Sequence, residues 1–175
     1  MTPRVVKAVL AALLLLAVAP GCAEPLDTAD RAADATAPCG TAVAVAPERA
    51  QVLMGLADEL GLDHPQAFAG VAATLEKTGA LPRCYLTKDQ AREAGWRPGG
   101  DLWEHRPGYA IGGDRFGNFE RRLPQHHAYV AADLDYAGGR RGPRRLVYVT
   151  DAEESPAVWV TVDHYNTFTA VPPAP

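Results

Sequence analysis

The chain has 175 residues, 47% of them hydrophobic, and a formal net charge of −4 at pH 7. This length and composition suit one domain with a hydrophobic core, together with terminal segments. The net negative charge excludes a globally basic nucleic-acid-binding protein, so a nucleic-acid site would have to rest on a local basic patch.

Residues 1–23 have the pattern of a secretory signal peptide. Two cations in MTPRVVK precede the apolar run AVLAALLLLAVAP, which is too short for a comfortable membrane span, and small residues follow. The stretch APGC also resembles the lipid-attachment motif of bacterial lipoproteins, with Cys22 as the lipidated residue. The sequence therefore predicts either a secreted, extracellular protein or a lipoprotein anchored on the outer face of the membrane.

The chain contains three cysteines, and both processing routes remove one of them from consideration. Lipidation consumes Cys22, and cleavage after Ala23 removes it. Cys39 and Cys84 then remain as a pair in an exported protein, which predicts a disulfide. A nucleophilic Cys84 is the alternative, but no base is patterned around it.

Helical patterns follow a polar N-terminal stretch. Residues 24–45 are rich in Ala, Thr and Asp and predict a flexible acidic spacer before a domain at 46–171. Apolar spacing between an initial proline and a final glycine predicts helices over 47–61 and 64–79. TKDQAREAG, residues 87–95, predicts a third, short helix, because its Thr and Gln have capping-box spacing.

Short β-rich runs separated by Gly and Pro occupy the rest of the domain. They are AIGGDRF, AYVAADLDY, RLVYVTD, VWVTVD and FTAV, and residues 172–175 form a tail. Helices followed by strands predict an α+β fold, in which the N-terminal helices pack on an antiparallel sheet.

Two common kinds of catalytic centre are not indicated. His126 and His127 are adjacent rather than spaced as metal ligands, and no Cys or His partner lies at ligand spacing. Ser155, in an acidic loop, is the only serine in the chain, which argues against a serine hydrolase. The sequence predicts no metal and no cofactor.

RRGPRR, residues 140–145, places arginines on both sides of a Gly-Pro turn between two predicted strands. A run of charges is usually a solvated loop. Arginine is, however, the planar donor suited to phosphate, and the other charges of the chain are mixed in sign. The loop is therefore a candidate phosphate site, with a solvated loop as the plainer interpretation.

Three further features are ambiguous when each is taken alone. Lys88 lies in the first turn of the third helix, where a cation opposes the helix dipole; it suits a bound phosphate or is simply exposed. IGGDRFGNFE, residues 111–120, is either a strand and turn or a loop that reads the edge of a flat heterocycle with Glu120. His164 is a natural general acid near neutral pH, although a histidine at a strand end is more often structural.

Taken in order, these motifs resemble the barnase-like family of small secreted bacterial guanyl-preferring ribonucleases. The resemblance runs through LPRCYLTKDQAREAGW, PGYAIGGDRFGNFERRLP, AADLDY, RRGPRRLVY and DHYNTFTAV, and covers roughly residues 66–171. It implies the microbial ribonuclease fold, with helices on a twisted antiparallel sheet. It also implies metal-free cleavage of single-stranded RNA by attack of a ribose 2′-OH on the adjacent phosphorus, which gives a 2′,3′-cyclic phosphate.

The resemblance implies a role for each matching residue. His164 matches the family's general acid. The other matches are the phosphate-binding cations and the substrate-binding residues, namely Lys88, Arg141 and Arg145, then Phe116, Gly117, Asn118, Glu120 and Tyr165.

The general base departs from the family pattern. In the family it is a glutamate on the strand between the guanine loop and the arginine loop, and anchoring on AADLDY puts that position at Ala131. Because a general base contributes about 10²–10⁴-fold in rate, its loss predicts a slower enzyme rather than an inert one. Asp133, on the same strand face, and His127 are candidate substitute bases. The alternative function is a non-catalytic protein that binds RNA or an inhibitor.

A second departure is Phe119, where the barnase-like pattern has an arginine beside the guanine loop. The change removes one cation and puts in doubt both phosphate attraction and contact with a barstar-like inhibitor. The expected partners are single-stranded RNA, a barstar-like proteinaceous inhibitor and, if Cys22 carries a lipid, a membrane. The chain is expected to be a monomer.

Overall fold

The computed structural model describes residues 36–150 and 157–174. The predicted signal peptide with Cys22, the first part of the predicted spacer and Ser155 lie outside these ranges. None of the helices within them has the length and hydrophobicity needed to span a bilayer.

Helices and strands follow one another in the predicted order, and the α+β fold class is confirmed. The helices are α1 (Pro47–Glu59), α2 (Pro65–Thr78) and α3 (Lys88–Glu93). The strands are β1 (Tyr85–Leu86), β2 (Ala110–Phe116), β3 (Tyr129–Asp133), β4 (Arg145–Val149), β5 (Val158–Thr161) and β6 (Thr169–Ala170).

The strands form a single six-stranded sheet in the order β1-β2-β3-β4-β5-β6. Pairs from β2 to β6 are antiparallel, as predicted, whereas β1 pairs with β2 in parallel. The sheet is therefore mixed rather than purely antiparallel. The sequence did not predict β1, because two residues are too few to show an alternating pattern.

Local sequence signals explain where the helices begin and end. Pro47 and Pro65 occupy the first turns of α1 and α2, where the missing N–H has no helical partner to lose. Gly79 closes α2 in the left-handed conformation, with φ of 68°. Thr87 and Gln90 form the predicted capping box at the start of α3.

The hydrophobic core fills the space between α1, α2 and one face of the sheet. Leu53, Phe68 and Leu75 from the helices cluster with Leu146 and Val160 from β4 and β5. Alternate residues of a strand point to opposite faces, so the neighbours of Leu146 in β4 point away from the helices. The opposite face of the sheet is thereby left for a site.

The segment before α1 is joined to the domain by a disulfide between Cys39 and Cys84, as predicted. Gly40 lies so close to α2 that a Cβ built on it would be 2.3 Å from the carbonyl oxygen of Ala67. Cys39 and Gly40 are buried. The folded part therefore begins before residue 46, and the end of the predicted spacer is packed against α2.

Loss of the Cys39–Cys84 disulfide is expected to lower the free energy of unfolding by about 3–5 kcal/mol, since the bond closes a long loop in the unfolded chain. The loop spans 45 residues. Urea unfolding of the protein and of its Cys39→Ser/Cys84→Ser variant measures the difference. Equal unfolding midpoints for the two proteins would contradict the expectation.

Candidate active site

A cavity of about 440 Å³ opens on the sheet face turned away from α1 and α2. Its walls come from the start of α3, from β2 and β3, from the loops beside them, and from the segment after β5. The residues singled out in the sequence that line it are Lys88, Phe116, Gly117, Asn118, Glu120, Ala131, Asp133, Arg141, Arg145, His164 and Tyr165.

Asp133 anchors two of the cavity's arginines. Its side chain is only 2% exposed, and Arg141 binds it with two hydrogen bonds, Nε to Oδ2 at 2.6 Å and Nη2 to Oδ1 at 2.7 Å. Arg145 Nε lies 3.0 Å from Asp133 Oδ1. This buried carboxylate fixes both guanidinium groups at the cavity wall.

Burial and charge act in opposite directions on Arg141. Desolvation by burial disfavours its charge, but hydrogen bonding and attraction to Asp133 outweigh this, so the pKa of Arg141 is raised. The guanidinium also lies 5.9 Å from the ring centroid of Trp96. The cavity therefore keeps a permanent, oriented positive charge.

Arg144 belongs to the same arginine run but serves the fold. It forms ion pairs with Asp63 and, at 2.8 Å, with Asp135, and it donates to the carbonyl oxygen of Gly61 at 2.7 Å. These contacts join the loop after α1 to the loop after β3. Only part of the RRGPRR run therefore contributes to the cavity.

Lys88 reaches the cavity from the first residue of α3. Its Nζ lies 4.0 Å from Oδ2 of Asp114 on β2, and its backbone N–H donates to the same oxygen at 3.1 Å. A carboxylate at the first turn of a helix is favourable, so Asp114 offsets the unfavourable placement of a lysine there.

His164 lies in a tight turn after β5, with a positive φ of 57°. Asp163 holds this turn. Its Oδ1 accepts from the backbone N–H groups of Asn166 at 3.0 Å and Thr167 at 2.9 Å, and its Oδ2 accepts from the Thr167 hydroxyl at 2.7 Å. The turn exposes His164 at the cavity mouth without support from a regular element.

The hold of Asp163 on the His164 turn is expected to weaken in acid. The Thr167 N–H and hydroxyl, with smaller contributions from its other donors, lower the pKa of Asp163 to about 2. A carboxylate with a lowered pKa stabilises the fold above its unfolded-state pKa, so the contribution is complete above about pH 4 and is lost as the pH falls towards 2. Amide hydrogen exchange of Thr167 should show its protection factor falling over this range.

The Asp163→Ala variant, which removes the acceptor oxygen of the Thr167 N–H, is the control for that pH series. It is expected to show a low Thr167 protection factor that does not change between pH 5 and pH 2. A constant protection factor in the unaltered protein would contradict the assigned role of Asp163.

Aromatic rings form the floor of the cavity beside His164. Tyr165 stacks on Phe116 with ring centroids 4.8 Å apart and an angle of 22° between the planes. Phe168 packs against the same pair, at 6.1 Å from Phe116. The floor is thus apolar and flat, which suits a planar ring.

The loop after β2 is closed by its own side chains. Asn118 adopts the left-handed conformation, with φ of 44°, and its amide pairs with the backbone of Leu123, donating at 2.9 Å and accepting at 3.1 Å. Arg122 donates to Glu120 Oε2 at 2.7 Å and to the carbonyl oxygen of Asn166 at 2.6 Å. Arg122 therefore ties this loop to the His164 turn.

The sequence model of the ribonuclease family matches residues 68–172, which is more than half of the chain. The chain belongs to the ribonuclease family. The match contains every residue of the cavity named above, whereas α1 and Cys39 lie before it.

Individual ribonucleases show the same relationship. Those of Bacillus intermedius and Bacillus pumilus are each 43% identical to this chain over 107 residues, which is 59% of this chain and 64% of theirs. A ribonuclease of Heyndrickxia coagulans is 42% identical over 107 residues, which is 59% of this chain and 94% of that protein. The matching segment thus spans less than two thirds of the two Bacillus relatives.

The position that the ribonuclease resemblance assigns to the general base is Ala131, on the cavity wall. Neither substitute predicted from the sequence suits that role. Both oxygens of Asp133 are engaged by arginines, and its side chain is almost fully buried. His127 lines a second, neighbouring cavity and is not among the residues that line the first.

Sequence reasoning did not assign a role to Asp114 or Arg122, which both line the cavity. Asp114 lay within the quoted motif IGGDRFGNFE, but its place opposite Ala131 depends on strand register. Phe119, noted as a departure from the family pattern, also lines the cavity and is 93% exposed. No contact within the described residues therefore buries this ring, and it is open to a stacking partner.

Proposed function

We propose that this protein is an extracellular endoribonuclease that cleaves single-stranded RNA after guanine and releases a 2′,3′-cyclic phosphate. The observation that carries the proposal is the convergence of His164, Arg141, Arg145 and Lys88 in one cavity, beside a loop that bears Glu120. Membership in the ribonuclease family supports the reaction class.

The cations fit the phosphate of the scissile bond. Attack on phosphorus creates a crowded phosphorane whose charge must be held by donors already in place. Arg141 and Arg145 are fixed by Asp133, so their donors need no reorganisation during the reaction. Lys88 adds a third positive charge from the first residue of α3.

His164 suits the role of general acid. The leaving 5′-oxygen needs a proton as its bond to phosphorus breaks, and imidazolium supplies one near neutral pH. His164 is exposed at the cavity mouth and lies on the same turn as Tyr165, whose ring forms the floor. A histidine with only a packing role would not be expected in this position.

The loop beside the cavity supports a preference for guanine. Guanine carries adjacent N–H donors at N1 and at its 2-amino group, which one carboxylate can accept together, and adenine lacks this pair. The Glu120 side chain is 71% exposed and so can receive them. The stacked rings of Phe116 and Tyr165 offer a flat apolar surface to the base.

Ala131 supports a lower rate than a complete acid–base pair would give. Removing a general base raises the barrier by about 3–5 kcal/mol, while the acid and the phosphate-binding cations still act. The same observation favours the second candidate function, a protein that binds RNA or an inhibitor without cleaving it. The two functions differ in their need for His164.

The decisive experiment compares the dinucleotides GpA, ApA, CpA and UpA as substrates at high enzyme concentration. The expected result is cleavage of GpA in preference to the other three, with guanosine 2′,3′-cyclic phosphate as the first product. Tight RNA binding without any cleavage would contradict the enzymatic function and support the second candidate function, RNA binding. Equal cleavage of all four dinucleotides would contradict the guanine preference, while the ribonuclease activity itself would be supported.

The partners and location follow from the same proposal. The chain is proposed to act outside the producing cell as a monomer, either free or held by a lipid on Cys22. The arginine-rich cavity would attract an acidic protein inhibitor of the barstar type, which would protect the producer.

A further inference from the structure

Asp114 lies directly across the sheet from the position of the missing base. In the register of β2 and β3, Asp114 is the Cα partner of Ala131. Directly opposed residues of antiparallel strands point to the same face, with Cβ atoms about 4.5–5.5 Å apart. Asp114 and Ala131 accordingly both line the cavity that contains His164.

The Asp114 carboxylate is accessible and only partly engaged. Its side chain is 28% exposed, compared with 2% for Asp133. Within residues 36–150 and 157–174, its contacts with Lys88 fall on Oδ2. Oδ1 thus has the capacity to accept a proton, whereas both oxygens of Asp133 are held by arginines.

Cationic side chains lie close to Asp114. Lys88 Nζ is 4.0 Å away. Asp114 is also one cause, after burial and the Asp133 contacts, of the shift in the pKa of Arg141, so it lies within electrostatic reach of that phosphate-binding group. Charged or titratable groups from every neighbouring element line the same cavity. They are Lys88 from α3, Arg115 from β2, Asp133 from β3, Arg141 and Arg145 from the arginine loop and β4, Glu120 and Arg122 from the loop after β2, and His164 and Tyr165 from the turn after β5.

We propose that Asp114 is the general base of this enzyme, in place of a glutamate at position 131. This assignment rests on the proposed ribonuclease function. Asp114 accepts the proton of the ribose 2′-OH, the 2′-oxygen bonds to phosphorus, and the bond from phosphorus to the 5′-oxygen breaks. The leaving oxygen takes a proton from His164. The step ends with a neutral carboxyl at Asp114 and a neutral imidazole at His164, and exchange with water restores both.

A double-mutant comparison separates a base from a structural carboxylate. Asp114→Asn is made in the natural chain and in an Ala131→Glu background, where the family's base position is refilled. Asparagine keeps the size of the side chain and an oxygen for the Lys88 N–H. Asp89→Asn on α3 is the matched control, since it removes the same charge from an exposed site next to Lys88.

The expected loss of kcat/KM for GpA on Asp114→Asn is about 10²-fold or more in the natural chain and less than about threefold in the Ala131→Glu background. Asp89→Asn should stay within about twofold of the natural chain. The acid limb of the pH profile of kcat/KM reports the base of the free enzyme. Among these proteins, only the single variant Asp114→Asn should lack this limb. Thermal melts check that each variant is folded.

Several outcomes would overturn the assignment. If Asp114→Asn lowered kcat/KM equally in both backgrounds and the acid limb of the pH profile persisted, Asp114 would be a structural partner of α3 and not the base. If Asp114→Asn did not lower kcat/KM in the natural chain, the protein would still be a ribonuclease, but Asp114 would not be its general base. If the natural chain cleaves nothing while Ala131→Glu does, the proposed function itself fails, and the base with it. Should Ala131→Glu not fold, the pH profile of Asp114→Asn decides.

Discussion

Replacing His164 with asparagine is expected to lower kcat for GpA cleavage by about 10²–10⁴-fold, because the leaving oxygen loses its proton donor. Asparagine is chosen because it tolerates left-handed geometry better than alanine does, and His164 has a φ of 57°. The expected loss falls on kcat, since the imidazole acts in the transition state rather than in substrate binding.

Single-turnover cleavage and equilibrium binding of a non-cleavable RNA measure the two effects of His164→Asn separately. Binding should change by less than about threefold, because the phosphate-binding cations do not depend on the imidazole. The matched control is His105→Ala, which removes an exposed histidine that does not line the cavity. Its kcat should equal that of the natural chain.

The same measurement discriminates between the two candidate functions. A binding protein has no use for an acid, so His164→Asn would leave its only measurable property unchanged and the natural chain would not cleave RNA. An enzyme that cleaves GpA equally well with and without His164 would require a different acid, and the assignment of His164 would be wrong.

Features coded by neighbouring residues could be predicted from the sequence. Pro65 and Gly79 bracket α2 because each acts through its own backbone, without reference to the rest of the fold. The capping box of Thr87 is equally local. β1 could not be predicted, since a two-residue strand is defined only by its parallel partner, which is more than twenty residues away in the chain.

In the candidate site, too, the features coded by neighbouring residues could be predicted, and those that depend on distant residues could not. The side-chain chemistry of His164 and Arg141 is visible in their motifs, and the structure brings them together. Which arginine faces the cavity is not visible, because Arg144 is drawn away by Asp63, 81 residues earlier in the chain. The pairing of Asp114 with Ala131 is hidden for a related reason. It depends on a register shift between Gly112 and Asp114, and one residue more or less would place Asp114 on the other face.

The strongest structural effect in the site is expected at Asp133. Asp133→Asn should lower the free energy of unfolding by about 3–5 kcal/mol, because breaking a buried ion pair leaves a charge in the interior without its partner. The Arg145 side chain is only 7% exposed, so its guanidinium would be left in the interior without this carboxylate. The same variant should lose most of its cleavage activity, since both guanidinium groups lose the carboxylate that orients them.

Urea unfolding with Asp133→Asn and Asp89→Asn in parallel tests this expectation. Asp89 pairs with Arg92 at 2.6 Å, but its side chain is 87% exposed, so its loss should change stability by less than about 1 kcal/mol. Activity is then measured at a temperature where Asp133→Asn remains folded. If the folded variant kept full kcat/KM, Arg141 and Arg145 would not need Asp133 to hold a phosphate. The pre-organised cation pair would then not explain how this cavity stabilises the charge that forms on phosphorus.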